Sequence, residues 1–406
     1  MPLCSHITDD AIAARLDRFV IETPSWGYAD TGTRFGKFYQ EAAASTVAEK
    51  LADAGQVHRL TGCCPTVALH VLWDFPFEGG TLVGTPEAAG AAVHSLAGQH
   101  GVRVGSINPN VFQDQRYKLG SVTNADGAIR RHAIDHLIQS VRLASAAGSD
   151  VLSLWFADGT NYPGQGHVRR RKRWMSDALA EVYAAMPGTM TMLVEYKPFE
   201  PAFYHTDIAD WGMAASFARA AGPRAKVLVD TGHHLPGANI EHIVSFLVDE
   251  GLLGGFHFND RKYADDDLTM GSIDPYQLFR IFAEITQAER ELGKPLPIAY
   301  MIDQSHNLKP KIEAMLQTVM AAQEHFVKAL LVDHAAAEAA RNGGDIIMAE
   351  RALRDAYATD VRGFLAEYRR RKGLPEDPLL AHRESGYEAR AAAERSHRTR
   401  SGSSYA

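Results

Sequence analysis

The segment AKVLVDTGHH (Ala225–His234) sets an apolar, β-branched run directly against an acid, a turn and two imidazoles. A continuous run of this kind suits a strand buried on both faces, as in a parallel sheet. Seven further runs share the form: RFVIETP from Arg18, VALHVLWD from Val67, VRVGSINPN from Val102, DVLSLWFADG from Asp150, MTMLVEYKP from Met190, GGFHFND from Gly254 and LPIAYMIDQS from Leu296. Their polar ends lie 27 to 50 residues apart, room each time for one helix and two loops. Amphipathic patterns fill the gaps at Ile129–Ala147, Trp174–Met186, Ile240–Glu250 and Pro275–Leu292. Eight such alternations predict an α/β fold, a (β/α)8 TIM barrel over residues 18–308. A doubly wound sheet is the rival, but the nearest phosphate-turn candidate, EGGTLVGT at Glu78–Thr85, lacks the glycine spacing.

Outside the barrel, residues 1–17 read as an N-terminal helix and 309–395 as a C-terminal α-helical extension. Lys309–Ala340 and Asp345–Lys372 form two long helical patterns, broken at Asn342-Gly343-Gly344, with Pro375 and Pro378 stopping the second. Amphipathic faces must be buried somewhere, so the extension reads as an oligomer interface. Residues 396–406 are Ser, Gly and Arg and read as a flexible tail.

Composition excludes several classes. Of 406 residues, 46% are hydrophobic and 22% charged, which excludes global disorder. A formal charge of −7 leaves no electrostatic footprint for nucleic acid or an anionic membrane. The basic run VRRRKR (Val168–Arg173), just ahead of the helix predicted at Trp174, reads as a solvated face. Cys4, Cys63 and Cys64 offer no CxxC spacing, and adjacent cysteines make a poor disulfide. The first residues lack a basic start and an apolar core, and no apolar run is long enough to span a bilayer. A cytoplasmic protein without nucleic-acid or membrane partners is expected.

In a (β/α)8 barrel, chemistry sits at the C-terminal ends of the strands. The fifth run ends at Glu195, the sixth at Asp230, the seventh carries His257 and the eighth ends at Asp303. Each closes an apolar run, where an unpaired charge is costly, so such groups pair or bind a metal. Converging on one point, three carboxylates and one imidazole make a divalent cation site, with oxygen-rich ligation favouring Mn²⁺, Mg²⁺ or Co²⁺. Asp230 and His233, three apart across a turn, and Asp265 and Asp267 in the following loop make a second site, with Asp230 bridging the two.

The stretches TPSWG (Thr23–Gly27), GTRF (Gly32–Phe35), DGTNYPGQ (Asp158–Gln165), FEPAFY (Phe199–Tyr204), VDTGHH (Val229–His234), GGFHFNDRKYADDDL (Gly254–Leu268) and MIDQSHN (Met301–Asn307) resemble bacterial L-rhamnose isomerase of the broad-specificity type. The resemblance runs from Val20 to Tyr387. It implies a barrel with a helical extension, a homotetramer, and two divalent ions per subunit, Mn²⁺ first, with Co²⁺ or Mg²⁺ as alternatives. It also implies that Glu195, Asp230, His257 and Asp303 hold a structural metal, and that Asp230, His233, Asp265 and Asp267 hold a catalytic one. Asp303, Lys197 and His233 form the implied catalytic set. His70, Trp73, Phe112, Trp155 and Lys197 match substrate positions, the first four on strands two to four, and Phe35 matches an aromatic from a neighbouring subunit. Between Trp73 and Phe112 the chain is longer than the family pattern, through PFEGGTLVGTPEAAG.

Such an enzyme interconverts L-rhamnose and L-rhamnulose, and rare sugars such as D-allose and D-psicose, by moving hydrogen between C1 and C2. Metal polarisation with a 1,2-hydride shift is expected, and an enediol route by proton abstraction is the alternative. Asp303 would carry the proton between O1 and O2, and Lys197 would orient O1. A ketose 3-epimerase, another metal-dependent barrel enzyme and a non-catalytic sugar binder are the competing functions.

Overall fold

The computed structural model describes residues 3–30, 40–200, 204–262, 265–305 and 308–396. The eight apolar runs become β1 (Thr23–Pro24), β2 (Thr66–His70), β3 (Arg103–Asn108), β4 (Val151–Leu154), β5 (Thr191–Glu195), β6 (Ala225–Asp230), β7 (Leu253–Phe258) and β8 (Ala299–Ile302). They form one sheet in chain order, every pair parallel. The first strand is short because Pro24 has no N–H to give to a ladder. A parallel bridge between Glu22 and Met301 joins the two ends, with Glu22 N–H donating to the Tyr300 carbonyl at 2.8 Å and Ile302 N–H to the Glu22 carbonyl at 2.9 Å. The fold is therefore the expected eight-stranded parallel barrel with helices, plus further helices at the C-terminal end.

Helices Val47–Thr61, Pro86–Gln99, Gly127–Ala146, Val168–Ala185, Trp211–Ala221, Ile240–Asp249 and Pro275–Leu292 separate the strands. Val47–Thr61 begins at a capping box of Thr46 and Glu49 and ends at Gly62, whose φ of 72° is the left-handed conformation that glycine adopts without strain. The eighth outer helix is Lys311–Leu330, which packs between Pro275–Leu292 and Val47–Thr61. The single long pattern at Lys309–Ala340 is thus two helices, since Asp333 caps a new one at His334–Asn342. Asp345–Lys372 likewise divides into Ile346–Ala358 and Arg362–Arg371, and Pro378 opens a helix, Pro378–Glu384. The last described helix, Tyr387–Arg395, returns to the barrel: Arg395 is buried and forks onto Asp53 with bonds of 2.8 and 2.9 Å.

Two local readings change. The basic run Val168–Arg173 is the first part of a helix rather than a segment ahead of one. Arg171 turns inward, is buried, and pairs with Asp207 at 2.8 Å. The extra chain after β2 is a hairpin of Phe77–Glu78 and Thr81–Leu82, turned by Gly79 and Gly80 at positive φ, and followed by helix Pro86–Gln99. All three cysteines are free thiols, Cys63 and Cys64 buried. Among the described residues no helix is long and apolar enough to cross a membrane.

The barrel interior is divided. Leu193, Leu228 and Met301 form a small apolar plug on the β5–β8 side. Across from it the carboxylate of Glu22 is buried, accepting from Ser106 Oγ at 2.5 Å and from Ser106 N–H at 3.0 Å. Gly105 makes the room: a Cβ there would lie 1.4 Å from Glu22 Oε2. This floor supports the strand ends above it.

Candidate active site

Barrel closure aligns the charged strand ends. Asp230 pairs in register with His257, while Glu195 and His257 pair with Leu228 and Met301, each two residues before Asp230 and Asp303 along its chain, so the four groups gather at the C-terminal end of the barrel beside the plug. One ligand atom from each lies within 4.8 Å of the others. His257 Nδ1 is 3.3 Å from Glu195 Oε1, 3.8 Å from Asp303 Oδ2 and 3.9 Å from Asp230 Oδ2. Asp303 is steadied from the far side by the Trp26 indole, whose Nε1–H donates to Oδ1 at 2.8 Å.

The second group shares Asp230. Atoms of Asp230, His233 and Asp265 also lie within 4.8 Å of one another. His233 Nδ1 is 3.1 Å from the Tyr196 carbonyl, which can only accept, so Nδ1 carries the hydrogen. The lone pair on Nε2 then points toward Asp265 Oδ1 at 3.5 Å and Asp230 Oδ2 at 3.9 Å. Asp230 Oδ1 is occupied by the Gly232 N–H at 2.6 Å and Asn259 Nδ2 at 3.0 Å, which leaves Oδ2 facing both groups. Asp267 does not join this trio. Its backbone is left-handed, φ 47°, and its carboxyl hydrogen-bonds Asp265 while lining the same cavity.

The charge balance shows what the residues suit. Burial, with crowding by neighbouring acids, pushes the carboxyls of Asp230, Asp303 and Asp267 up. Burial would push His257 and His233 down, but the surrounding carboxylates outweigh it and raise both, His257 to about 9. Asp230 Oδ2 and both ring nitrogens of His257 are buried with no hydrogen bond among the described residues. Buried polar atoms in native proteins have partners. A divalent cation at each group would supply countercharge to the acids and a partner to these atoms, and the donor set, mostly carboxylate oxygen with one imidazole each, suits a hard or borderline metal. The residues fit two metal ions.

Beside the two groups is a cavity of about 200 Å³. Lys197 enters it with its ammonium on Asp265 Oδ2 at 2.7 Å and 5.2 Å from the Trp155 ring centre. An aromatic wall faces Lys197: Trp26 is 4.6 Å from His70, His70 is 4.0 Å from Trp73, and Phe112 is 5.0 Å from Trp155, centre to centre. Burial and the nearby Lys50 charge push His70 down to about 3, so it stays neutral. Asp74 fixes the wall from behind, accepting from Ser25 Oγ at 2.6 Å, Lys50 Nζ at 2.6 Å and the His70 N–H at 2.8 Å.

The structure therefore gathers His70, Trp73, Phe112, Trp155, Lys197 and all seven proposed ligand residues around one place. Only Asp230 of these does not line the cavity, lying beneath it. Trp73 sits in a helical turn, Val71–Asp74, and Phe112 lies beyond β3, because the first strands end before these positions. Phe35 lies outside the described residues. Trp26, Asn108, Ser153 and Ser305 also line the cavity without having been singled out from sequence. Trp26 stood within the quoted TPSWG motif, whereas Ser153 is one hydroxyl inside an apolar run.

A family model described as xylose isomerase-like TIM barrel matches residues 70–287. The chain belongs to the xylose isomerase-like TIM barrel family. Within it, the chain is 40% identical over 394 residues to a protein of Mesorhizobium japonicum named "Probable sugar isomerase", covering 96% of this chain and 89% of the relative. A "Probable sugar isomerase" of Rhizobium meliloti is 40% identical over 391 residues, covering 95% and 88%. Among solved structures, D-allulose 3-epimerase from Methylomonas sp. shares the fold with a TM-score of 0.51 and 16% identity, covering 75% of this chain and 96% of that one. The matched residues of this xylose isomerase-like barrel run from His70 through His257 and Asp267, and so include most of the site.

Proposed function

We propose that this protein is a metal-dependent aldose–ketose isomerase that interconverts L-rhamnose and L-rhamnulose, and rare sugars such as D-allose and D-psicose. The observation that carries the reading is the pair of ligand groups sharing Asp230, set beside Lys197 in a cavity walled by aromatic rings. The two nearly full-length relatives named as sugar isomerases support it. Mn²⁺ is the proposed ion, with Co²⁺ or Mg²⁺ able to serve. When bound, the two ions polarise the carbonyl and stabilise negative charge on the sugar oxygens.

The residues supply the rest. In the aldose-to-ketose direction, the hydrogen on C2 moves with its electron pair to C1 while a proton passes from O2 to O1, so nothing enters or leaves. Asp303, held by the Trp26 indole, is placed to carry that proton. Lys197 donates a hydrogen bond to O1, and its pairing with Asp265 fixes its position. Trp73, Phe112 and Trp155 cover C–H faces and exclude water. Glu195, Asp230 and His257 with Asp303 would hold the first ion, and Asp230, His233 and Asp265 would hold the second, with Asp267, bonded here to Asp265, as the proposed fourth ligand. The proposed assembly is a homotetramer; the helices beyond Leu330 leave Ile346 and Ile347 78% and 77% exposed, which supports self-association. The free thiols support a cytoplasmic location.

Mn²⁺-loaded protein is to be incubated with L-rhamnose, L-mannose, D-allose and D-ribose, in H₂O and in D₂O. The expected product is the matching ketose, without deuterium at C1 or C2. Turnover of none of the four contradicts the sugar assignment, deuterium in the product indicates the enediol route, and, with D-psicose supplied alone, a new ketose in place of an aldose indicates epimerisation.

A further inference from the structure

Three tryptophans line the cavity, and two of them direct the indole N–H to a protein acceptor: Trp26 to Asp303, and Trp73 to Gln113 Oε1 at 2.9 Å. Trp155 is different. Its Nε1 is buried with no hydrogen-bond partner among the described residues. Two residues earlier, Ser153 Oγ is in the same condition, and Ser153 lines the same cavity at 1% exposure. Successive strand residues face opposite sides, so positions 153 and 155 share the inward face of β4 and its extension, while Leu152 and Leu154 pack outward under the helices.

A buried hydroxyl or indole N–H without a partner costs free energy comparable to a lost hydrogen bond. Neither group is satisfied among the described residues, and both residues line the cavity, so a molecule bound there can supply the partner. The surroundings narrow its chemistry. The Phe112 ring stands 5.0 Å from the Trp155 ring and the Lys197 ammonium 5.2 Å from it, so polar donors alternate with flat apolar faces. A polyol matches this alternation, its C–H groups against rings and its hydroxyls against donors.

We infer that Ser153 Oγ and Trp155 Nε1 form a hydroxyl-reading edge of the pocket that selects among sugars by the hydroxyls each presents there. The inference rests on the sugar reading above. The indole can only donate, whereas the serine hydroxyl both donates and accepts. A sugar lacking an oxygen at that edge leaves both groups unsatisfied, and a site built to bond a hydroxyl discriminates strongly against its absence.

Ser153→Ala removes the hydroxyl and Trp155→Phe removes the N–H while keeping an aromatic face. Both variants are to be compared with wild type in the Mn²⁺-loaded state, by melting temperature without sugar and by kcat and KM on the best-used sugar of the panel. The expected result for Ser153→Ala is an unchanged or raised Tm with kcat/KM down about tenfold, mostly through KM. Trp155→Phe is expected to show the same kinetic split. A kcat/KM within about twofold of wild type overturns the assignment of that residue and gives its polar atom to bound water. A lowered Tm in Ser153→Ala also overturns it, since the hydroxyl would then serve the fold. If wild type turns over no sugar, the sugar reading falls and this inference with it. An active wild type with indifferent variants removes the inference alone.

Discussion

Replacing Glu195 with alanine abolishes measurable turnover and removes the rise in melting temperature that Mn²⁺ gives the wild-type protein. Glu195 Oε1 is 3.3 Å from His257 Nδ1 and 3.1 Å from His233 Nδ1, so it borders both ligand groups while belonging to the first. Burial would raise its pKa, but His257 and His233 outweigh that and hold it near 2, so it is ionised before metal arrives. Without it the first group keeps two aspartates and one histidine around a space that a carboxylate had closed. A ligand bound at about a hundred times its Kd stabilises the folded state by about 2.7 kcal/mol, which in a chain of this size is a few degrees in Tm. Wild type is expected to show that rise and Glu195→Ala none, with kcat at least about a thousandfold lower. Differential scanning calorimetry with and without Mn²⁺ decides it. A variant that keeps the full Mn²⁺ shift contradicts a structural metal at Glu195.

The second large effect separates the two groups. Asp265→Asn is expected to keep the Mn²⁺-dependent rise in Tm and to lose kcat by about a hundredfold to a thousandfold. Asp265 belongs only to the second group, and its other oxygen accepts from Lys197 at 2.7 Å. Asparagine is the informative replacement because its amide oxygen can still accept from the buried ammonium. Alanine would take the carboxylate away from that buried ammonium, at a cost of about 3–5 kcal/mol. Loss of the Mn²⁺ shift in Asp265→Asn would merge the two groups into one. Activity within about twofold of wild type would remove Asp265 from the reaction.

The barrel was legible in the sequence because most strand residues are buried, so the strands lie within short, mainly apolar runs. Each run that closes on an acid or imidazole marks the end where ligands gather. Helix limits were less legible. Lys309–Ala340 reads as one pattern because apolar periodicity continues across Leu331–Asp333, although Asp333 is a capping residue in plain view. The VRRRKR run reads as solvated since five of its residues are polar and basic, yet Arg171 is drawn inward by Asp207 and by carbonyls 12 to 52 residues away along the chain. In the site, ligand types were readable one by one. The bridging role of Asp230 became geometric only through its register with His257 and the two donors on Oδ1. Ser153 and the indole N–H of Trp155 left no trace in the sequence pattern, because what distinguishes them is the absence of a partner, which only packing reveals.

The most direct test of a metal-dependent isomerase is chelation with EDTA to a metal content below about 0.05 ions per chain, followed by stepwise return of Mn²⁺, with aldose and ketose measured at each step. The expected result is no interconversion in the stripped protein and recovery that saturates at two Mn²⁺ per chain, since the ligand groups among the described residues number two. Full turnover by the stripped protein would contradict the account.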